Sequence, residues 1–166
     1  MKLPIRQGIS FGITSGIVTT LGLIMGLYAG HNSASTLIEG ILIIAVADSL
    51  SDSLSIHSSA EADTRFGKTK VWQTTIAAFL SKFILSLTFL IPFFFLPLTI
   101  AFFISLAWGI ILIIFLSIFL AQNQQHSILQ SIISHLILIL SVLLVSNLIG
   151  KLISQILTMP IYTIGQ

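Results

Sequence analysis

Five apolar runs, each close to the ~20 residues that a helix needs to cross a hydrocarbon core, constrain this chain more than any motif does. They fall near residues 8–30, 36–58, 71–95, 98–121 and 127–150. Each is expected to be helical, because a span surrounded by lipid must satisfy its own backbone hydrogen bonds. The connections between them are short, so 1–166 reads as a single all-α domain of five transmembrane helices, with no room for a soluble domain. Composition agrees: 7% of the residues are charged and 55% hydrophobic, against roughly 25% charged in a globular domain. The net charge of +2 comes from so few side chains that it points to no nucleic-acid partner. Cys is absent, which excludes disulfides and thiolate metal sites.

Lys and Arg in the connections set the expected orientation. Lys2 and Arg6 precede the first run, and Arg65, Lys68 and Lys70 lie between the second and third, while the first and third connections carry none. The positive-inside rule therefore places the N-terminus in the cytoplasm and, after five crossings, the C-terminus outside. Lys151, near the outer end, is a mild exception. The first run follows Lys2 and Arg6 as a cleaved signal peptide would, although it is longer than the ~7–15-residue apolar core expected of one. Beyond residue 150 the fifth helix has room to continue, and Pro160 with Gly165 marks its frayed end.

Within the second run, Asp48 and Asp52 place two carboxylates among apolar residues. An acid near a bilayer centre costs ~2.5–3.5 kcal/mol on insertion scales, so it is usually kept for an ion path, a proton relay or a fixed partner. Four residues apart, the two share a helix face with Ser55, flanked by Ser51. The polar stripe is the candidate functional site, and a structural seam between helices is its alternative. In the first run Gly8, Gly12 and Gly16, then Gly22, Gly26 and Gly30, repeat every four residues. That spacing lets backbones approach closely, either at a bundle centre or at a subunit interface.

The stretch Gly12-Ile13-Thr14-Ser15-Gly16-Ile17-Val18-Thr19-Thr20-Leu21-Gly22 resembles the first-helix signature of the vacuolar iron transporter family, a small residue followed by Asp-Gly-Ile-Val-Thr-Thr. Ala47-Asp48-Ser49-Leu50-Ser51 is similar to the family's second-helix Ala-Asp-Gly-Leu-Ser, which precedes a Met. Phe79-Leu80-Ser81 with Pro92, and Asn147-Leu148-Ile149-Gly150-Lys151, are similar to its later helices. The resemblance implies a five-helix homodimer that exports Fe(II) or Mn(II) from the cytosol in exchange for protons. The first two helices are expected to line the path, with Ser15, Thr19 and Ser51 along it. The departures bear on the metal site. Ser15 stands where the family has a metal-binding Asp, and Asp52 where it has the Met ligand. Ser55, Ile56 and His57 replace a Gly-Glu-Tyr, and residues 59–70 are too few for the Glu-rich cytoplasmic domain of many relatives.

Exchanging a thioether for a carboxylate favours harder ions, which shifts preference from Fe(II) toward Mn(II). The metal set read from the sequence is Asp48, Asp52 and Ser55, for a transported ion rather than a permanently bound cofactor. Lys82 complicates this reading. Counted at 1.5 Å per residue it lies ~16–18 Å deep, level with Asp48 at ~15 Å. A Lys82 ion pair would leave the site about one negative charge, which suits a proton or monovalent cation better than a divalent metal. Lys82 otherwise snorkels or forms a fixed pair. His57 is a second proton or charge partner, with an interfacial side chain as the bland reading. Glu61 and Asp63 are a cytoplasmic entry cluster or simply a solvated helix end. His135 with Ser131 and Ser134 fits interhelical hydrogen bonding.

The sequence thus points to a transporter, not an enzyme, working on metal ions and protons as a homodimer in a lipid bilayer. A proton/monovalent cation antiporter built on Asp48, Asp52 and Lys82, and a non-transporting scaffold of the same fold, stay open beside it.

Overall fold

The computed structural model describes residues 3–63, 67–121 and 128–158; Lys2, Arg65, the connection at 122–126, Pro160 and Gly165 lie outside them. Every element among the described residues is helical: α1 Leu3–Ala29, α2 Ala34–Ala62, α3 Lys68–Thr88, α4 Ile91–Phe95, α5 Leu98–Ala121 and α6 Ile128–Leu157. Five spans are long and apolar enough to cross a membrane: Pro4–Ala29, Ala34–Ala62, Lys68–Phe95, Leu98–Ala121 and Ile128–Leu157.

The ends of these helices follow from local chemistry. Pro4 enters the first turn of α1, where a missing N–H leaves nothing unpaired. At the other end the Asn32 N–H donates to the Leu27 carbonyl at 3.1 Å and the His31 N–H to Tyr28 at 3.1 Å, the double closure of a Schellman motif. His31 takes the left-handed position there, at φ 58, which glycine usually fills. Ser33 then caps α2, its hydroxyl accepting from the Thr36 N–H. The helix runs four residues past the expected boundary at 58, which brings Glu61 into its last turn and leaves Asp63 as the C-cap. α6 likewise continues through Lys151 to Leu157.

The third run is a single span, as the reading of 71–95 had it, but not one unbroken helix. α3 stops at Thr88, Phe89 and Leu90 donate to Ser86 and Leu87 in tight i→i−3 turns, and α4 restarts at Ile91. The cause is Pro92, whose ring would meet the Thr88 carbonyl and which has no N–H to donate to it.

α1 is the centre of the bundle, packing most extensively on α3 and also touching α2, α5 and α6. Its two glycine runs are divided between neighbours. A Cβ on Gly8 would collide with the Thr74 carbonyl, and one on Gly12 with the Ala78 carbonyl and the Ser81 hydroxyl, both on α3. Gly22 and Gly26 instead face Ser146 of α6. Both glycine faces are therefore occupied within the chain. Ile17, Leu21 and Ile24 of α1 pack with Leu37 and Ile41 of α2 in the buried core. α6 lies at the edge, with only Ile139 and Gly150 buried among its described residues.

Candidate functional site

Asp48 lies fourteen residues from either end of α2, or ~21 Å along the axis at 1.5 Å per residue. Lys82 is the same distance from the start of α3. Both are deeper than the sequence boundaries implied, because each helix begins or ends outside them. Ser15, midway along α1, completes a layer contributed by three helices.

The close approach of α1 and α3 builds this layer. Glycines at 8, 12 and 16 let the α1 backbone lie against the Thr74, Ala78, Lys82 face of α3. At Gly16 a Cβ would stand 3.3 Å from Lys82 Cγ, so the lysine stem occupies the space that a side chain would have taken. The stem packs there and turns its ammonium toward α2. Lys82 is 1% exposed, and its Nζ lies 2.5 Å from Asp52 Oδ2, 2.5 Å from Asp48 Oδ2 and 2.9 Å from Ser15 Oγ.

The two carboxylates are not equivalent. Asp52 Oδ2 accepts hydrogen bonds from both Lys82 and the Ser15 hydroxyl. Asp48 Oδ2 makes the ion pair with Lys82 but no hydrogen bond among the described residues. The side chains of Asp48 and Asp52 remain 30% and 23% exposed, so one flank of the cluster is open. One ammonium faces two carboxylates and leaves about one negative charge. Burying charge is tolerable only with such pairing, because the cost of desolvating an unpaired ion is several kcal/mol.

Among the other residues expected at the site, Thr19 and Asp48 share the wall of a groove of about 650 Å³ between α1, α2 and α6. Ser55 and Ser51 are exposed on α2, with the Ser55 hydroxyl donating to the Ser51 carbonyl at 3.0 Å. Neither hydroxyl joins the ammonium. His57 is five residues beyond Asp52, ~7.5 Å along the helix, where its Nδ1 lies 2.8 Å from Thr75 Oγ1 and its ring meets Trp72 edge-on. Glu61 and Asp63 lie at the far end of α2, near the exposed Lys68 and Lys70 at the start of α3. Asp48, Asp52, Lys82 and Ser15 are thus brought together, whereas Ser55, His57, Glu61 and Asp63 are spread along the helix. No group of three His, Asp or Glu side chains able to hold a metal occurs among the described residues.

Two neighbours of the cluster escaped the sequence reading. Thr20 donates to Ser86 at 3.2 Å, both fully buried, one helical turn beyond the Lys82 layer. Their signal was the four-residue step from Lys82 to Ser86, hidden among the many serines of the chain. Ser146 of α6 lines the groove beside Asp48, and nothing in the local sequence distinguished it from Ser141 or Ser154. His135 is tied within its own corner, its Nδ1 2.8 Å from the Ser131 carbonyl and 3.1 Å from Ser117 Oγ. No protein-family model, curated protein or solved structure matches this chain.

Proposed function

We propose that this protein carries a cation across its membrane in exchange for protons, using Asp48, Asp52 and Lys82 as the exchange site. The observation that carries the reading is the Lys82 ammonium held against both carboxylates in the middle of the spans. Charge at that depth is costly and is characteristic of ion paths and proton relays. Lys82 acts as a resident cation that the cargo must replace. Its flexible four-carbon stem rests on Gly16 and pivots away, leaving two carboxylates and the Ser15 hydroxyl as an all-oxygen donor set. Such a set suits hard cations. The cargo under this reading is Mn(II) in preference to Fe(II), as the family resemblance also implies. Protons returning to the carboxylates release the metal.

The working form is a homodimer with its N-terminus in the cytoplasm. Arg6 stacks over Phe119 at one end of the bundle, the end that also carries Lys68 and Lys70, and this supports the positive-inside orientation.

The tight Lys82 pairing and the lack of a third acidic or histidine ligand among the described residues favour a second reading, exchange of protons for a monovalent cation. Flux into proteoliposomes of Mn(II), Fe(II), Co(II) and Na⁺, each with and without a pH gradient, separates the two. Divalent uptake driven by the gradient and abolished by Asp52→Asn supports the first. Na⁺ uptake alone supports the second. No flux of any ion leaves a scaffold and overturns both.

A further inference from the structure

The groove at Asp48 continues into a second space. A cavity of about 430 Å³ between α1 and α6 reaches Asn32 in the α1–α2 turn and Ser154 and Leu157 near the end of α6. It shares Gly22, Leu23 and Ser146 with the groove that Asp48 and Thr19 line. Together they extend from the middle of α2 to the end of the bundle where α1 turns into α2, ~21 Å along the helix axis. Asp48 sits at the inner end, with one oxygen against Lys82 and its carboxylate part of the groove wall.

The walls are mostly apolar, from Leu23, Leu27, Ile149 and Ile153 among others, but a line of polar groups runs along them. Thr19, Ser146, Ser154 and Asn32 contribute polar groups at successive levels. On the outer faces of α6, Leu144 and Leu148 are 64% and 60% exposed and purely apolar. The α1 wall is built of Gly22, Gly26 and Gly30, and α6 comes closest to it at Gly150, where a Cβ would collide with the Gly26 carbonyl. Polar side chains inside a membrane face protein or a water-filled cavity.

We propose that this α1–α6 groove is a hydrated half-path linking Asp48 to the outer side of the membrane, so that a cation displacing Lys82 leaves along Ser146 and Asn32. The inference rests on the transport reading for its purpose but not for its test. The chain has no cysteine, so single-cysteine variants report without background. In lipid nanodiscs, which expose both faces, Ser146→Cys should react with a charged methanethiosulfonate at least about tenfold faster than Leu144→Cys, since only a hydrated thiol ionises to the reactive thiolate. Equal rates at the two positions would overturn the path. In proteoliposomes, Ser146→Trp should lower cation flux by about tenfold or more by filling the passage. A Ser146→Trp protein that transports like wild type overturns the groove as the route. Failure of transport itself is read separately, in the wild-type protein, and leaves the labelling comparison intact.

Discussion

Lys82 and Asp52 meet at 2.5 Å between two different helices, and Ser15 from a third helix closes on the same carboxylate oxygen. This contact ties α1, α2 and α3 together at one depth and makes the pair both a structural and a chemical centre.

Asymmetry between the acids is testable by stability. Asp52→Asn removes the acceptor of two directed hydrogen bonds, whereas Asp48→Asn removes an ion pair without one. Asp52→Asn should therefore be the more destabilising in detergent melts. The double variant, which leaves Lys82 buried with no carboxylate, should cost ~3–5 kcal/mol, as breaking a buried pair does. Equal melting temperatures for the two single variants would show the acids to be interchangeable.

Lys82→Met frees both carboxylates of their resident cation. Divalent binding should tighten, and Asp52→Asn in the same background should remove it. Calorimetry in two buffers of different ionisation enthalpy will also read any protons released on binding, which exchange of cargo for protons requires. Unchanged Mn(II) affinity in Lys82→Met would show that the ammonium does not compete with cargo.

The glycines of α1 should respond in opposite ways. Gly12→Ala drives a methyl into the Ala78 carbonyl, a backbone atom that cannot step aside, and should cost ~1–3 kcal/mol. At Gly26 the nearest atom to an added Cβ is the Ser146 carbonyl at 3.5 Å, so Gly26→Ala should be neutral or stabilise by up to ~1 kcal/mol through helix propensity. Thermal unfolding of the two variants decides this, and the reverse order would mean that α1 packs differently on α3 and α6.

His31→Gly should raise the melting temperature. A left-handed backbone costs an L-residue roughly 1–2 kcal/mol, and His31 holds φ 58 at the end of α1. Glycine relieves that at some cost in unfolded-chain entropy, for a net gain of ~0.5–1 kcal/mol. A loss of stability would indicate that the imidazole makes a contact worth more than the strain.

Topology has its own check. A reporter fused at Gln166 should read as extracytoplasmic, and one inserted in the α2–α3 connection as cytoplasmic. Finding both on one side of the membrane would exclude the five-span arrangement.

The spans were determined by the sequence, because run length and hydropathy are enough when every backbone group must be satisfied within a helix. So was the common face of Asp48 and Asp52, since 3.6 residues per turn admits no other geometry within a helix. Counting residues also brought Lys82 to the right layer. The break after Thr88 was missed although Pro92 was in view, because a proline in an apolar run is compatible with a kinked span as well as with two helices. Only the tertiary structure decided that Lys82 reaches Asp52 as well as Asp48, that Ser15 joins them, and that His57 turns to Thr75 instead. It also decided which neighbour each glycine run receives. The reason is physical: a helix surrounded by lipid is apolar on its outer face and in its core alike, so the amphipathic signal that orients helices in water is largely lost. Which faces meet is then settled by shape, through glycine spacing and close packing between segments far apart in the chain.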